Sequence, residues 1–223
     1  MKAKRFISIL LVLLLLLLVG HELHDSYERK RAEEHALFEE QRALLASLTN
    51  MDGTGEIHIH MSRDEFEHKL IGLNIPYDGY DDLSRAGSGL QNFYRFGDSL
   101  EKKYPEEGIS SDDGLAEIFL RRTKEGLRHM DSVKKAKQLY PDYKFLEVLA
   151  YPERPYYIHA SGAPGGWFIK EFWQPNGDLI VSAIQVSGPN PEENRFHGVS
   201  IKYLPASVAK EQDWWPDDEE ESP

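Results

Sequence analysis

The chain has 223 residues, no cysteine and a formal net charge of −12, with 29% of its residues charged. The lack of cysteine excludes disulfides, thiol catalysis, cysteine-ligated zinc and a lipid carried on cysteine. Residues 1–20 hold three basic residues and no acid, so everything after them carries −15. A surface that acidic repels phosphate backbones and anionic lipids, which argues against nucleic acid as a partner.

From Phe6 to Val19 the chain is apolar except for Ser8, and Lys2, Lys4 and Arg5 precede the block. Fourteen residues of helix span about 21 Å against a hydrocarbon core of about 30 Å, a length that also suits a cleaved leader. Leu18 occupies the position two before Gly20 where cleavage wants a small residue, so residues 1–23 are read as an uncleaved anchor. Residues 6–19 are its contact with the lipid bilayer. The basic residues favour a cytoplasmic N-terminus and place the bulk of the chain outside the cytoplasm. That means the periplasm in a bacterium, or secretion if the leader is removed.

Residues 24–50 read as a helical stalk, since residues 21–48 contain neither proline nor glycine. Arg29 with Glu33, and Lys30 with Glu34, have the spacing of helical ion pairs. Leu23, Tyr27, Leu37, Leu44 and Leu48 form a seam interrupted by Lys30 and Glu34. Self-association through the stalk and packing of its end on the chain's own domain both remain open on that pattern.

Residues 51–205 are expected to form one α+β domain, with helices packed on an antiparallel β-meander of four or five strands. Asn50–Gly55 is a turn, and Glu56–His60 alternates as a half-exposed strand would. Ser62-Arg63-Asp64-Glu65 is a capping box opening a helix to about Ile71, with Phe66 and Leu70 on its buried side. Residues 76–89 are loop-like, residues 90–104 are helical in part, and Ser111–Met130 reads as a helix with Leu115, Ile118, Phe119 and Leu127 as its stripe. Asp131 is expected to cap a further short helix ending before Pro141. Strand-like runs follow at 143–151, 156–160, 167–174, 179–187 and 196–204. Asn176-Gly177 supplies a hairpin turn among them. Residues 206–223 form an acidic tail in which Trp214 and Trp215 precede five acids, Asp217–Glu221. These tryptophans are the candidate interaction residues, expected to dock on the domain's own surface or on a partner.

Chemistry-bearing patterns are sparse. Ser132-Val133-Lys134-Lys135 has the serine–lysine spacing of penicillin-recognising acyl enzymes, but Ser99–Lys102 and Ser207–Lys210 share it and no companion motif follows. His58 and His60 on one strand face offer two imidazoles to a metal, with His68 or His197 as a third ligand. Asn50, Asp52, Thr54 and Gly55 are similar to the start of an EF-hand calcium loop, and Glu65 to its last acid. Glu65 stands ten residues past Gly55, however, where six are required. Residues 59–66 also resemble the opening of the small outer-membrane-assembly lipoproteins, a helix–helix–sheet family. His60 stands where those have glycine, the lipidated cysteine is missing, and no residue role carries across. Glu171 among Trp167, Phe168, Phe172 and Trp173, with Glu147 on a nearby run, offers carboxylates beside aromatic faces that suit a sugar ring.

The sequence therefore predicts a membrane-anchored extracytoplasmic domain that binds a protein or glycan partner, with no cofactor. An envelope glycan hydrolase using Glu147 and Glu171 is one alternative. A calcium or zinc module using Asp52, His58, His60 and His68 is the other.

Overall fold

A computed structural model describes residues 2–75, 92–103, 105, 108–147, 165–187 and 195–209. The chain divides into two units, Met1–Glu40 and Gln41–Pro223. A single helix, α1 (Lys2–Ser47), runs across that boundary for 46 residues, as the absence of a breaker in the stalk predicts. Within the first unit Leu17, Val19, Leu23, Tyr27 and Leu37 are exposed. Arg29 Nε donates to the Asp25 carbonyl at 3.3 Å, and His21 Nδ1 lies 3.1 Å from Asp25 Oδ2. Among the described residues no helix is long and apolar enough to cross a membrane. The expected membrane helix is therefore reduced here to a continuous N-terminal helix.

In the second unit the end of α1 packs inward, burying Leu45 and Ala46. The alternating segment that follows is not a strand. Ile57 and Ile59 are buried as predicted, but their amides bond to the Leu48 and Gly53 carbonyls at 3.0 and 2.8 Å. Gly53 and His60, at φ +79° and +70°, turn the chain back on itself before a ladder can form. The capping box holds: Glu65 N donates to Ser62 Oγ, and Ser62 N to Glu65 Oε2. It opens α2 (Arg63–Gly72), which buries Phe66 and Leu70.

The expected helix over residues 111–130 is the main correction. After a 3-10 turn at Ser111–Asp113, Gly114 adopts φ +65° and the chain enters a strand, β2 (Leu115–Leu120). All six of its residues are buried. A strand covered on both faces reads as an unbroken apolar run, which period alone does not separate from a helix. It pairs with β1 (Phe93–Phe96), which leads into α3 (Gly97–Lys103). Ser132, not Asp131, caps α4 (Val133–Leu139), which stops before Pro141 as expected.

The remaining strands are β3 (Lys144–Glu147), β4 (Gly165–Trp173), β5 (Leu179–Ser187) and β6 (Arg195–Leu204), followed by the short α5 (Ala206–Ala209). The run at 156–160 lies outside the described residues. The result is a six-stranded antiparallel sheet of order β1-β2-β6-β5-β4-β3, larger than the predicted four or five strands because the region read as helical supplies β1 and β2. The Asn176-Gly177 hairpin is present, with Gln174 N donating to the Asp178 carbonyl and Gly177 at φ +90°. Both sheet faces are covered. On one, Phe66 of α2 meets Tyr94 and Phe96 with ring centroids 4.6 and 5.6 Å away. On the other, Trp167, Ile169, Leu179, Val181, Ala183 and Leu204 cluster with Ala209 of α5.

On that second face Phe119 stacks on Phe93 at 4.6 Å and lies over Gly198, where an added Cβ would overlap its ring. Gly198→Ala is therefore expected to destabilise the protein by about 1–3 kcal/mol, as overpacking does. Combining it with Phe119→Leu should cost less than the sum of the two single changes. Urea unfolding of the four chains checks this, and strict additivity would sink the packing argument.

Candidate anion-binding face

Two charged arrangements emerge from the sheet's register. The first is a row across the face that carries Phe119. Arg95 pairs with Glu117, Glu117 with Lys202, Lys202 with Val181 and Val181 with Glu171. Arg95 Nη1 donates to Glu117 Oε2 at 2.8 Å, and Ser200 Oγ donates to Glu117 Oε1 at 3.2 Å. Glu117 and Lys202 are almost wholly buried. Burial opposes ionisation of Glu117, but Lys202 and Arg95 beside it, with the Arg95 and Ser200 hydrogen bonds, outweigh that cost and hold its carboxyl below the usual carboxylate range. The row is a cross-strand clamp whose bonds are spent on the sheet itself.

The second arrangement lies where β2 ends and β6 begins. Residues 121–137 carry seven basic and two acidic residues, inside a chain of net charge −12. The loop after β2 folds back so that Arg122 bridges Arg128, while His129 N donates to the Arg121 carbonyl. Ser132 bridges Arg195, and Met130 N donates to the Phe196 carbonyl, tying the loop to the start of β6. The His129 and His197 rings meet edge-on at 5.6 Å. The two acids are already engaged. Asp131 accepts from Lys135 Nζ at 2.6 Å and from Arg128 N at 2.7 Å, and Glu125 accepts from the Tyr140 hydroxyl.

Arg121 is the fixed point of this face. Its Nη1 donates to the His197 carbonyl at 2.7 Å, its guanidinium carbon lies 5.4 Å from the Phe119 ring centroid, and its backbone N donates to Asn92 Oδ1. Its Nε is buried with no hydrogen-bond partner. Burial and then the neighbouring guanidinium of Arg42 push its pKa below the ordinary arginine value. No carboxylate among the described residues pairs with Arg121 or Arg122. An arginine stays protonated under such stress, so its burial is a standing electrostatic cost at this position.

The residues singled out in the sequence are placed elsewhere. The strands of Glu147 and Glu171 are neighbours, but Glu147 pairs with Gly166, five positions from Glu171 on β4. Five residues of strand span about 17 Å and reverse the face, whereas glycosidase carboxyls stand about 5–9.5 Å apart. Glu171 Oε2 instead accepts from Trp173 Nε1 at 3.1 Å. His58 and His60 share no strand. His58 Nδ1 is buried without a hydrogen-bond partner, while His60 Nδ1 bonds to the Asp113 carbonyl at 2.9 Å and its ring packs on Tyr203. His68 Nδ1 bonds to the Asp64 carbonyl. Asp52 Oδ1 accepts from Thr54 N and Oγ1, which closes the calcium-like half-loop on itself. Among the described residues no group of three or more histidines and acids could hold a metal. Trp214 and Trp215 lie outside the described residues.

Compared with known protein families, curated proteins and solved structures, the chain matches none. The basic face was missed in the sequence because total charge conceals local charge. A sliding window of charge over residues 121–137 finds it.

Glu117 gives a test with a defined sign. Because its folded pKa is lowered, its contribution is present above the ordinary carboxylate value of 4.5 and is lost as pH falls below it. Glu117→Gln is expected to cost about 3–5 kcal/mol at pH 7, since it removes the carboxylate that faces the buried Lys202 and pairs with Arg95. That deficit should shrink between pH 5 and 3 as the parent protein loses its own charge. A deficit that stays constant across that range would show that Glu117 is not ionised in the folded protein.

Proposed function

We propose that the protein is a bilayer-tethered binding domain outside the cytoplasm, held by residues 6–19 and presenting its basic face to an anionic partner. What carries this reading is Arg121, a guanidinium locked by the His197 carbonyl and the Phe119 ring beside Arg42, with no carboxylate paired to it. Binding is favoured over glycan hydrolysis because the two candidate carboxylates stand five register positions apart. The tether rests on the apolar block and the basic residues before it. Fourteen residues of helix leave a shortfall of about 9 Å, which snorkelling of Lys4 and Arg5 and local bilayer thinning absorb.

If residues 6–19 hold the chain in lipid, it stays in the membrane pellet after alkaline carbonate washing, and deleting residues 2–23 releases it. Recovery of the full chain in the wash supernatant would remove the tether from the proposal.

For the face, tripolyphosphate at low millimolar concentration is the probe, with the full chain in neutral detergent at low ionic strength. The unfolding midpoint is expected to rise, because a ligand at a hundred times its dissociation constant adds about 2.7 kcal/mol. The rise should disappear in Arg121→Gln/Arg122→Gln and shrink in 300 mM sodium chloride. An equal rise in the double variant would show that the anion binds elsewhere.

A further inference from the structure

The β4–β5 turn hangs several elements on one carboxylate. Asp178 Oδ2 accepts from Asn176 Nδ2 at 2.6 Å and from the Tyr203 hydroxyl at 3.1 Å, and its Oδ1 accepts from Ala206 N at 2.8 Å. It therefore joins the turn to the end of β6 and to the first residue of α5, whose Ala209 clusters with Leu179 and Leu204. Asn176 is exposed, and Asp178 N donates to its Oδ1 at 3.1 Å, so the side-chain amide is held at both ends. Gly177 follows at φ +90°. We propose that Asn176 is a site of spontaneous deamidation, and that the acid it leaves behind loosens the joint at Asp178.

The step needs only water. The Gly177 backbone nitrogen attacks Asn176 Cγ and forms a new C–N bond. The Cγ–Nδ2 bond breaks, and Nδ2 leaves as ammonia with the proton that Gly177 N gives up through solvent. Water then opens the five-membered imide at either carbonyl, leaving aspartate or isoaspartate at position 176. Three features favour the attack. Glycine has no side chain to obstruct its own nitrogen. The Asp178 amide points at the oxygen on which negative charge gathers during attack, as an oxyanion donor does. Gly177 N must first leave the Gln174 carbonyl at 2.9 Å, and an exposed turn opens locally at far less cost than the whole fold.

Either product removes what holds the joint. An ionised carboxylate only accepts hydrogen bonds, so the bond from residue 176 to Asp178 Oδ2 is lost. The new charge then stands where a donor stood, beside a second carboxylate, and the two repel. Isoaspartate also adds one atom to the main chain inside a turn that Gln174 N closes on the Asp178 carbonyl at 2.8 Å. Repulsion and the longer chain both draw Asp178 away from Tyr203 and from Ala206 N, the contacts that tie β6 and α5 to the turn.

The test is ageing. The full chain in neutral detergent is kept in warm, mildly alkaline buffer beside Asn176→Ser, which retains a side-chain oxygen for Asp178 N and cannot close the imide. Peptide mass spectrometry is expected to find the mass gain of amide-to-acid conversion at residue 176. The aged fraction, separated by anion exchange, should unfold about 3–6 °C below the fresh chain, the scale of one lost hydrogen bond with its repulsion in a chain of this size. Asn176→Ser should hold its midpoint through the same incubation. If residue 176 stays amidated while the urea-unfolded chain is converted in the same time, the closed turn protects it and the site is overturned. Conversion with no fall in the midpoint overturns the link to Asp178. An equal fall in Asn176→Ser assigns the loss to another residue and overturns that link as well.

Discussion

Burial of β2 on both faces is the constraint on which the rest of the structure depends. Its six residues include Glu117, so the sheet could only form around a carboxylate taken out of water. That cost is offset because Arg95 and Lys202 occupy the paired positions on the flanking strands and Ser200 reaches the second oxygen. A buried ion needs both charge and hydrogen-bond partners to be tolerated, and Glu117 has both. The same register that pairs these charges also stacks Phe93 on Phe119 and brings Phe119 over Gly198. A slip of one residue would send all of them to the opposite face.

The basic face is a consequence of where β2 stops. Leu120 is the last ladder residue, and the next two are arginines. Because Phe119 is locked into the aromatic stack, Arg121 is held against its ring, and the antiparallel return of β6 brings the His197 carbonyl within reach. The turn 122–128 then faces arginine with arginine. Like charges placed opposite each other on adjacent strands destabilise a sheet. Asp131, held by Lys135 and by the Arg128 amide, offsets part of that charge, while Arg121 and Arg122 pair with no carboxylate among the described residues.

The sequence was most legible where the signal is carried by neighbours along the chain. The capping box at Ser62 and Glu65, the buried Phe66 and Leu70, the Asn176-Gly177 turn and the strands at 179–187 and 196–204 all follow from contacts within a few residues. It was least legible at Leu115–Leu120, where a run apolar except for Glu117 satisfies a helical stripe and a doubly covered strand equally well. The segment at 56–60 failed for another reason. Its alternating burial is real, but Gly53 and His60 at positive φ bend the backbone away from any ladder. The candidate carboxylates show the same limit at the level of chemistry. Glu147 and Glu171 do lie on adjacent strands, and only the register reveals that they are about 17 Å apart.

By itself the sequence determined the exclusion of thiol chemistry, the unbroken helix through the stalk, the α+β class and the acidic tail, because each rests on composition or on local spacing. Only the tertiary structure decided which strand lies at the centre, which carboxylate is buried and which arginines meet. Those outcomes rest on pairings between residues such as Arg95 and Glu117, or Arg121 and His197, that lie 22 and 76 positions apart in the chain. Contacts of that separation depend on how the sheet closes, and local propensity carries no record of it.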